Sequence, residues 1–329
     1  MDMKRGLSNP YAQLLTTMVL WGSAFSSSKA VVEHVPPSVG ALLRFGGGAI
    51  ALLLALWLFG DRKTRGPART GWRAAGAGVL GVFAYNGFFF WGLSLAPSLD
   101  AGILIPVMSP VLTSTFLLLT GKQQAGWPRI AGLSLGLTGA TIFLFGADGS
   151  SDGNANRLWG DLLFLASAVC WAAYTLAGPR VLSGIEPLRA TTYATCAGAL
   201  LLTVLAAPDM AKVQWTELPS SLWLNTAYLA VGAAAVANLL YYRGVSSVGP
   251  ANASLMMFNV PAVNTLCATL FIGETLGWLQ GTGALVLLAG AALAVTQGRL
   301  PRRKPTAIGQ PSLTAADTSH EATDQHRTV

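Results

Sequence analysis

The sequence predicts an all-α integral membrane protein of ten transmembrane helices, built as two inverted-topology five-helix repeats with both termini cytoplasmic. Three observations carry this expectation. The chain is 52% hydrophobic and only 11% charged, against roughly a quarter charged in soluble domains. Its apolar stretches are each long enough to cross a ~30 Å hydrocarbon core, which takes about 20 helical residues. The second half also repeats the first at a nearly constant offset.

The elements follow in order. After a short cytoplasmic segment, residues 1–10, the first span covers about 11–30. Lys4 and Arg5 give it the flank of a signal peptide, yet further spans follow and it takes part in the repeat, so it is expected to be retained. Spans two and three run over 38–59 and 72–95, and span four over 99–120, where "IPVMSPVLTSTF" places Pro106 and Pro110 inside an otherwise helical run. Span five, 129–146, completes the first repeat, 11–146, and an extracytoplasmic linker, 147–157, leads to the second, 158–297. Its spans lie at 158–181, 189–207, 219–243, 251–272 and 278–297, with Pro261 in "MMFNVPAVNTL". The remainder, 298–329, is polar and aperiodic, as expected of a disordered cytoplasmic tail.

Charge sets the orientation. The net charge of +7 could suggest a nucleic-acid partner, but the basic residues gather on alternate loops. Arg62, Lys63, Arg65, Arg69 and Arg73, then Lys122 and Arg129, then Arg180 and Arg189, fall on one side with the termini. Lys29, Arg157 and Lys212 fall on the other, beside Asp148, Asp152, Asp161, Asp209 and Glu217. The positive-inside rule makes the first side cytoplasmic, so no nucleic-acid partner is expected. The partners are a lipid bilayer and a small-molecule substrate, and the pattern is compatible with a monomer. Cys170, Cys196 and Cys267 all lie within spans without a CxxC pair and read as small buried hydrophobes.

The repeat is explicit. Trp21 matches Trp171, Pro37 matches Pro187, "YNGFFFWGLS" overlays "ANLLYYRGVS", Gly121 meets Gly273, and Pro110 meets Pro261. Trp127, Gly132 and Gly139 then meet Trp278, Gly283 and Gly290. An odd number of spans per repeat inverts the second against the first, an arrangement whose substrate site lies near the midplane, lined by broken or bent helices. Pro106, Pro110 and Pro261 therefore read as hinges of spans four and nine, since proline removes a backbone donor and weakens a helix. The plainer reading is a packing kink.

Several stretches resemble a known family: "WGSAFSSSK" in span one, "PPSVGALLRF" opening span two, "GLSLAPSLDAGILIPVMSPVLTSTF" through span four, and "PAVNTLCATLFIGETLGWLQGTGALVLLAG" through spans nine and ten. Over residues 11–297 the chain is similar to the ten-helix drug/metabolite transporters with duplicated EamA-type domains. Its aromatic content resembles the aromatic amino acid exporters of the YddG type. The resemblance places the family's tryptophan and lysine of span one on Trp21 and Lys29, its span-two arginine on Arg44, and its glutamate after span nine on Glu274. In the first repeat the corresponding "GE" is Gly121 and Lys122, which favours a helix-end role for Glu274 over coupling.

The residues themselves nominate a site. Asn86 and Asn238 are equivalent, with Phe90 and Tyr242 four residues on and hence on the same helix face. A bare amide in lipid is costly, so both should face a shared interior cavity. Trp21, Tyr85, Trp171 and Tyr174 would line it, with Met108, Met257 and Asn259 approaching from spans four and nine. Flat aromatics and adaptable methionine suit an apolar or aromatic side chain, and amides suit amino and carboxyl groups. Arg44, about two turns into span two, either holds a substrate carboxylate or is a structural tie that snorkels or bonds helix-end carbonyls. Lys29, near the outer surface, reads as a solvated cap. No Asp, Glu or His sits in mid-span, so facilitated diffusion without proton coupling is expected.

The expected function is export of small amphipathic metabolites, foremost apolar or aromatic amino acids, across a bacterial inner membrane by alternating access. Nucleobases, nucleosides or cationic drugs are the alternative cargo, and a membrane scaffold or receptor the alternative class. No cofactor or metal site is expected. An enzyme is not expected either: "GLSLG", Gly132–Gly136, formally matches a nucleophile elbow, but His34, His320 and His326 all lie outside the spans and no base can reach the serine.

Overall fold

The structure, a computed structural model, describes residues 9–59, 68–121, 126–147, 154–181, 185–248 and 256–296. Most of the predicted N-terminal segment and linker, and the tail from 297, lie outside them. All regular structure among the described residues is helical. The helices are α1 (Pro10–Val32), α2 (Pro37–Phe59), α3 (Ala68–Gly78, Val79–Ala84 and Tyr85–Leu95 in succession), α4 (Ser98–Leu119) and α5 (Trp127–Ala147). In the second half they are α6 (Asn154–Val181), α7 (Pro187–Met210), α8 (Ser220–Ala227, Tyr228–Val236 and Ala237–Val248), α9 (Asn259–Cys267 with Ala268–Ile272) and α10 (Trp278–Thr296).

Local chemistry sets the ends. Pro10, Pro37 and Pro187 each open a helix, where the missing N–H costs nothing and the fixed φ already suits the first turn. The Asn9 carboxamide accepts from Tyr11 N at 3.0 Å as the cap of α1. Gly121 and Gly273, matched by the repeat, follow α4 and α9 with φ of 67° and 76°, the left-handed residue that stops a helix and that glycine adopts without a Cβ clash.

Two equivalent helices carry the same irregularity. The middle segments of α3 and α8, Val79–Ala84 and Tyr228–Val236, are π-helical, a widening that disturbs the regular i→i−4 ladder. Just beyond each, an asparagine amide donates to the carbonyl four residues back: Asn86 to Val82 O at 2.7 Å, and Asn238 to Ala234 O at 2.7 Å. Each amide thus serves a backbone acceptor at the π-to-α junction.

The halves interlock. α1 packs on α8 and α9, and its counterpart α6 packs on α3 and α4; α2 packs on α8, and its counterpart α7 on α3. The self-equivalent pairs α2–α7, α4–α9 and α5–α10 complete a pattern with two-fold symmetry. Lipid tails are as apolar as leucine, so such contacts rest on close packing between small residues. Along α5 and α10 a Cβ on Gly132, Gly139, Gly283 or Gly290 would run into backbone atoms of the opposite helix. The matched glycines are the contact surface itself.

Seven helices are long and apolar enough to cross a membrane, among the described residues: Pro37–Leu58, Gly71–Leu95, Ser98–Leu119, Trp127–Gly146, Ala155–Gly178, Leu188–Met210 and Ser220–Tyr241. Asn259–Ile272 and Trp278–Ala294 are apolar but shorter. α1 has 23 residues, with Gln13, Lys29 and a run of hydroxyl residues diluting its hydropathy. Trp72, Trp127, Trp159 and Trp278 are exposed near helix ends, where the amphipathic indole suits a membrane interface.

Candidate substrate cavity

A cavity of about 540 Å³ lies where the two halves meet, within the 300–1,000 Å³ typical of small-molecule sites. Its centre is aromatic. Trp21 and Trp171, repeat equivalents on α1 and α6, meet edge to face at 6.2 Å. Tyr241 lies 4.9 Å from Trp21, while Tyr85 and Tyr174 lie 5.4 and 5.7 Å from Trp171. The Trp21 indole is fixed by donating to Ala233 O at 3.3 Å. Pro106, Ser109, Pro110 and Thr113 bring one face of α4 into the wall, and Met257 and Val260 enter from the start of α9.

The cavity is polar in one direction and closed in the other. It runs past Thr113, Ser114 and Leu117 toward the end of α4, reaching Arg129 at the start of α5, Gly178 in α6 and Thr191 in α7. At the opposite ends of α4 and α6, the Asp100 carboxylate receives Arg157 Nε at 2.8 Å and Nη2 at 3.0 Å, a two-point pair, with Gln280 Nε2 adding a contact at 3.4 Å. Asp100 and Asp161 are fully buried there.

Around this ion pair the α3–α4 connection is held from both sides. Pro97, at the N-cap position of α4, has no side-chain acceptor. Glu274, from the turn after α9, substitutes: its carboxylate accepts from Ser98 N at 2.9 Å, Ser98 Oγ at 2.9 Å and Leu99 N at 2.8 Å. A carboxylate at a helix start is favoured by the orphan N–H groups and the dipole. Lys29 supplies the opposite charge to the end of α3, donating to Leu93 O at 2.7 Å and Ala96 O at 3.1 Å. Asn264 of α9 donates to Ser98 O at 3.1 Å. α1, α3, α4, α6, α9 and α10 are therefore tied together at this end.

The residues nominated by the sequence divide. Trp21, Tyr85, Trp171, Tyr174, Asn238, Met257, Pro106, Pro110 and Arg44 line the cavity. Asn86, Phe90, Met108 and Asn259 are absent from its lining. Asn86 and Phe90 are fully buried against neighbouring helices; Tyr85 and Phe89, one residue earlier, occupy the cavity face of α3 instead. Met108 is buried in the core, and Asn259 is exposed, its amide turned back to Met256 O at 2.8 Å. The side chain of Tyr242 lies outside the described residues.

Two further expectations are corrected. Pro261 is the third residue of the Asn259–Cys267 helix, where its lost donor would have had no intrahelical partner, so it breaks nothing. A turn at Met257 and Phe258 immediately precedes this helix. Pro106 and Pro110, in contrast, lie inside the continuous helix α4. Lys29 is no solvated cap but a half-buried one, engaged with carbonyls of another helix.

Arg44 does not snorkel outward. It is buried, lines the cavity, donates through Nη1 to Ser28 Oγ at 3.2 Å, and lies 5.1 and 5.6 Å from the ring centres of Phe45 and Phe89. Sequence reasoning missed Phe25, Phe89, Tyr241, Ser109 and Thr113 in the wall. The signal for Phe89 and Tyr241 was available, since they are equivalent in the repeat.

A symmetric helical bundle with a membrane-embedded aromatic cavity, closed at one end and extending toward the other, defines a multi-pass membrane transporter. The chain belongs to the EamA-like transporter family, which matches it at residues 10–145 and again at 158–296, once per repeat. It is 26% identical over 295 residues to the uncharacterized transporter YyaM of Bacillus subtilis, covering 89% of this chain and 96% of that one. To the aromatic amino acid exporter YddG of Ancylobacter novellus it is 27% identical over 296 residues, covering 86% of this chain and 96% of the relative. A solved crystal structure, 24% identical with a TM-score of 0.62, covers 87% of this chain and 96% of its own and shares the fold.

Proposed function

We propose that this transporter exports small amphipathic metabolites, foremost amino acids with apolar or aromatic side chains, by alternating access across a bacterial inner membrane. The observation that carries the reading is the Trp21–Trp171 pair at the centre of a cavity shared by both halves. Flat rings on both sides suit an apolar or aromatic solute, and the similarity to an aromatic amino acid exporter is in keeping with it.

In this reading α1, α9 and α10 cross the bilayer as well, making ten spans in two oppositely oriented sets of five with N- and C-termini in the cytoplasm. The cavity then faces the cytoplasm, and the Asp100–Arg157 pair closes the outer side. Helix α4, with Pro106 and Pro110 against the cavity, is the bending element. Transport runs down the substrate gradient, since no Asp or Glu is among the cavity-lining residues described. The buried Asp100 and Asp161 lie at the closed end instead.

Purified protein in liposomes tests this directly. Preloaded phenylalanine or leucine should drive counterflow of the labelled amino acid, unchanged in rate by an imposed pH gradient. Competition by nucleosides or cationic drugs but by no amino acid would replace the cargo class. Solute that is neither moved nor altered would indicate a scaffold.

A further inference from the structure

We infer that the cavity recognises a carboxylate attached to an apolar or aromatic body and does not require an ammonium group, so that aryl and alkyl carboxylic acids lacking the amine are ligands. The inference rests on the proposed transport reading for the site and narrows its substrate class.

The argument begins with Arg44. Its guanidinium is buried, yet among the described residues no carboxylate pairs with it. One nitrogen donates to Ser28 Oγ, and Nε has no hydrogen-bond partner. Its ionisable neighbours are the phenols of Tyr85 and Tyr228. An arginine keeps its proton under all ordinary conditions, and a buried charge left without a counter-ion is costly. The site therefore holds a permanent positive charge with unused donor capacity, facing an open cavity.

The rest of the wall offers no opposite charge: no acidic residue is among the described residues of the lining. Besides Arg129, the remaining polar groups are the hydroxyls of Ser109, Thr113, Ser114, Thr175, Thr191 and Thr195, phenols, indoles, and the Asn238 carboxamide, whose amide is already committed to Ala234 O. An anionic head would neutralise the guanidinium and accept its unused donors, in a charge-assisted geometry that favours a planar two-oxygen group. A cationic head would find no carboxylate and would add like charge to the chamber. Phe89 beside the guanidinium, and the rings that continue from it, Tyr85 and then Trp171, take the body of the ligand.

Binding to detergent-solubilised full-length protein decides it, read by quenching of tryptophan fluorescence with four probes that share a phenyl ring. These are phenylacetate, phenylalanine, phenylacetamide and phenylethylamine. Phenylacetate is expected to bind at least as tightly as phenylalanine and about tenfold or more tighter than the amide or the amine. Arg44→Gln should weaken phenylacetate at least tenfold while leaving phenylacetamide within about twofold, and Arg44→Lys should restore part of the loss. Tighter binding of phenylethylamine than of phenylacetate overturns the inference, as does an Arg44→Gln protein that binds phenylacetate unchanged. Should that variant fail to fold, the order of the four probes on the wild-type protein decides alone. Phenylalanine counterflow in liposomes separates the two readings. Flux of phenylalanine without binding of phenylacetate defeats the inference and leaves transport standing; binding of phenylacetate without flux upholds the inference and defeats transport.

Discussion

Replacing Arg157 by Gln removes one partner of the two-point pair with Asp100, whose bonds are 2.8 and 3.0 Å. Asp100 is fully buried and the Arg157 side chain is 20% exposed. Breaking a buried pair by deleting one partner costs about 3–5 kcal/mol, because the survivor is left uncompensated. With Arg157 partly exposed, about 3 kcal/mol is appropriate, a factor of about 100 in an equilibrium constant. If the pair closes the outer side, that free energy is lost from the conformation seen here and not from one in which the pair is already apart. The equilibrium moves toward outward opening. Leu117→Cys, in the part of the cavity on the other side, reports it: in membranes presenting the cytoplasmic face, thiol modification should slow at least tenfold when Arg157→Gln is added. Combining Asp100→Asn with Arg157→Gln should recover much of the loss, since neither charge is then stranded. An unchanged labelling rate in the single variant, or strictly additive effects in the pair, would refute the assignment of this ion pair as the outer closure.

Glu274→Ala should lower the melting temperature by a few degrees, as expected for losing about 1–2 kcal/mol of helix capping at α4, while substrate affinity changes less than twofold. Differential scanning fluorimetry and the binding assay check the two halves of that statement. Gly139→Ala places a methyl against the backbone of α10 near Leu287 and should destabilise by about 1–3 kcal/mol, as overpacking does, seen as loss of monodisperse protein on gel filtration. Asn86→Ala and Asn238→Ala remove equivalent hydrogen bonds, each worth about 1 kcal/mol with more where the acceptor is left buried. Only Asn238 lines the cavity, so only its replacement should alter the ranking of substrates in counterflow.

Much of the architecture was legible because it is written twice. Trp21 and Trp171 touch, Gly121 and Gly273 adopt the same left-handed conformation, and the glycines of α5 and α10 form one interface. The register of the cavity wall was not legible. A π segment precedes Asn86 and Asn238, and in α3 the buried asparagine completes the helix from within, turning Tyr85 and Phe89 toward the cavity. Periodicity marks which residues share a face but not which face looks inward. The closed end was equally hidden, since Asp100 and Arg157 are 57 positions apart and each reads alone as an ordinary charge at a span boundary. Pro261 misled because alignment to Pro110 fixes equivalence of sequence, not of helix phase.

The interlocking of the halves bears on how the chain is made. α1 is synthesised before α8 and α9, yet its largest contacts are with them. Until they arrive its largest packing surface is uncovered, with smaller contacts to α3 and α4 to hold it, and Lys29 must wait for the end of α3. A severed first half would thus insert without settling, and co-produced fragments cut between α5 and α6 should find each other in the membrane, because each carries the surfaces the other lacks.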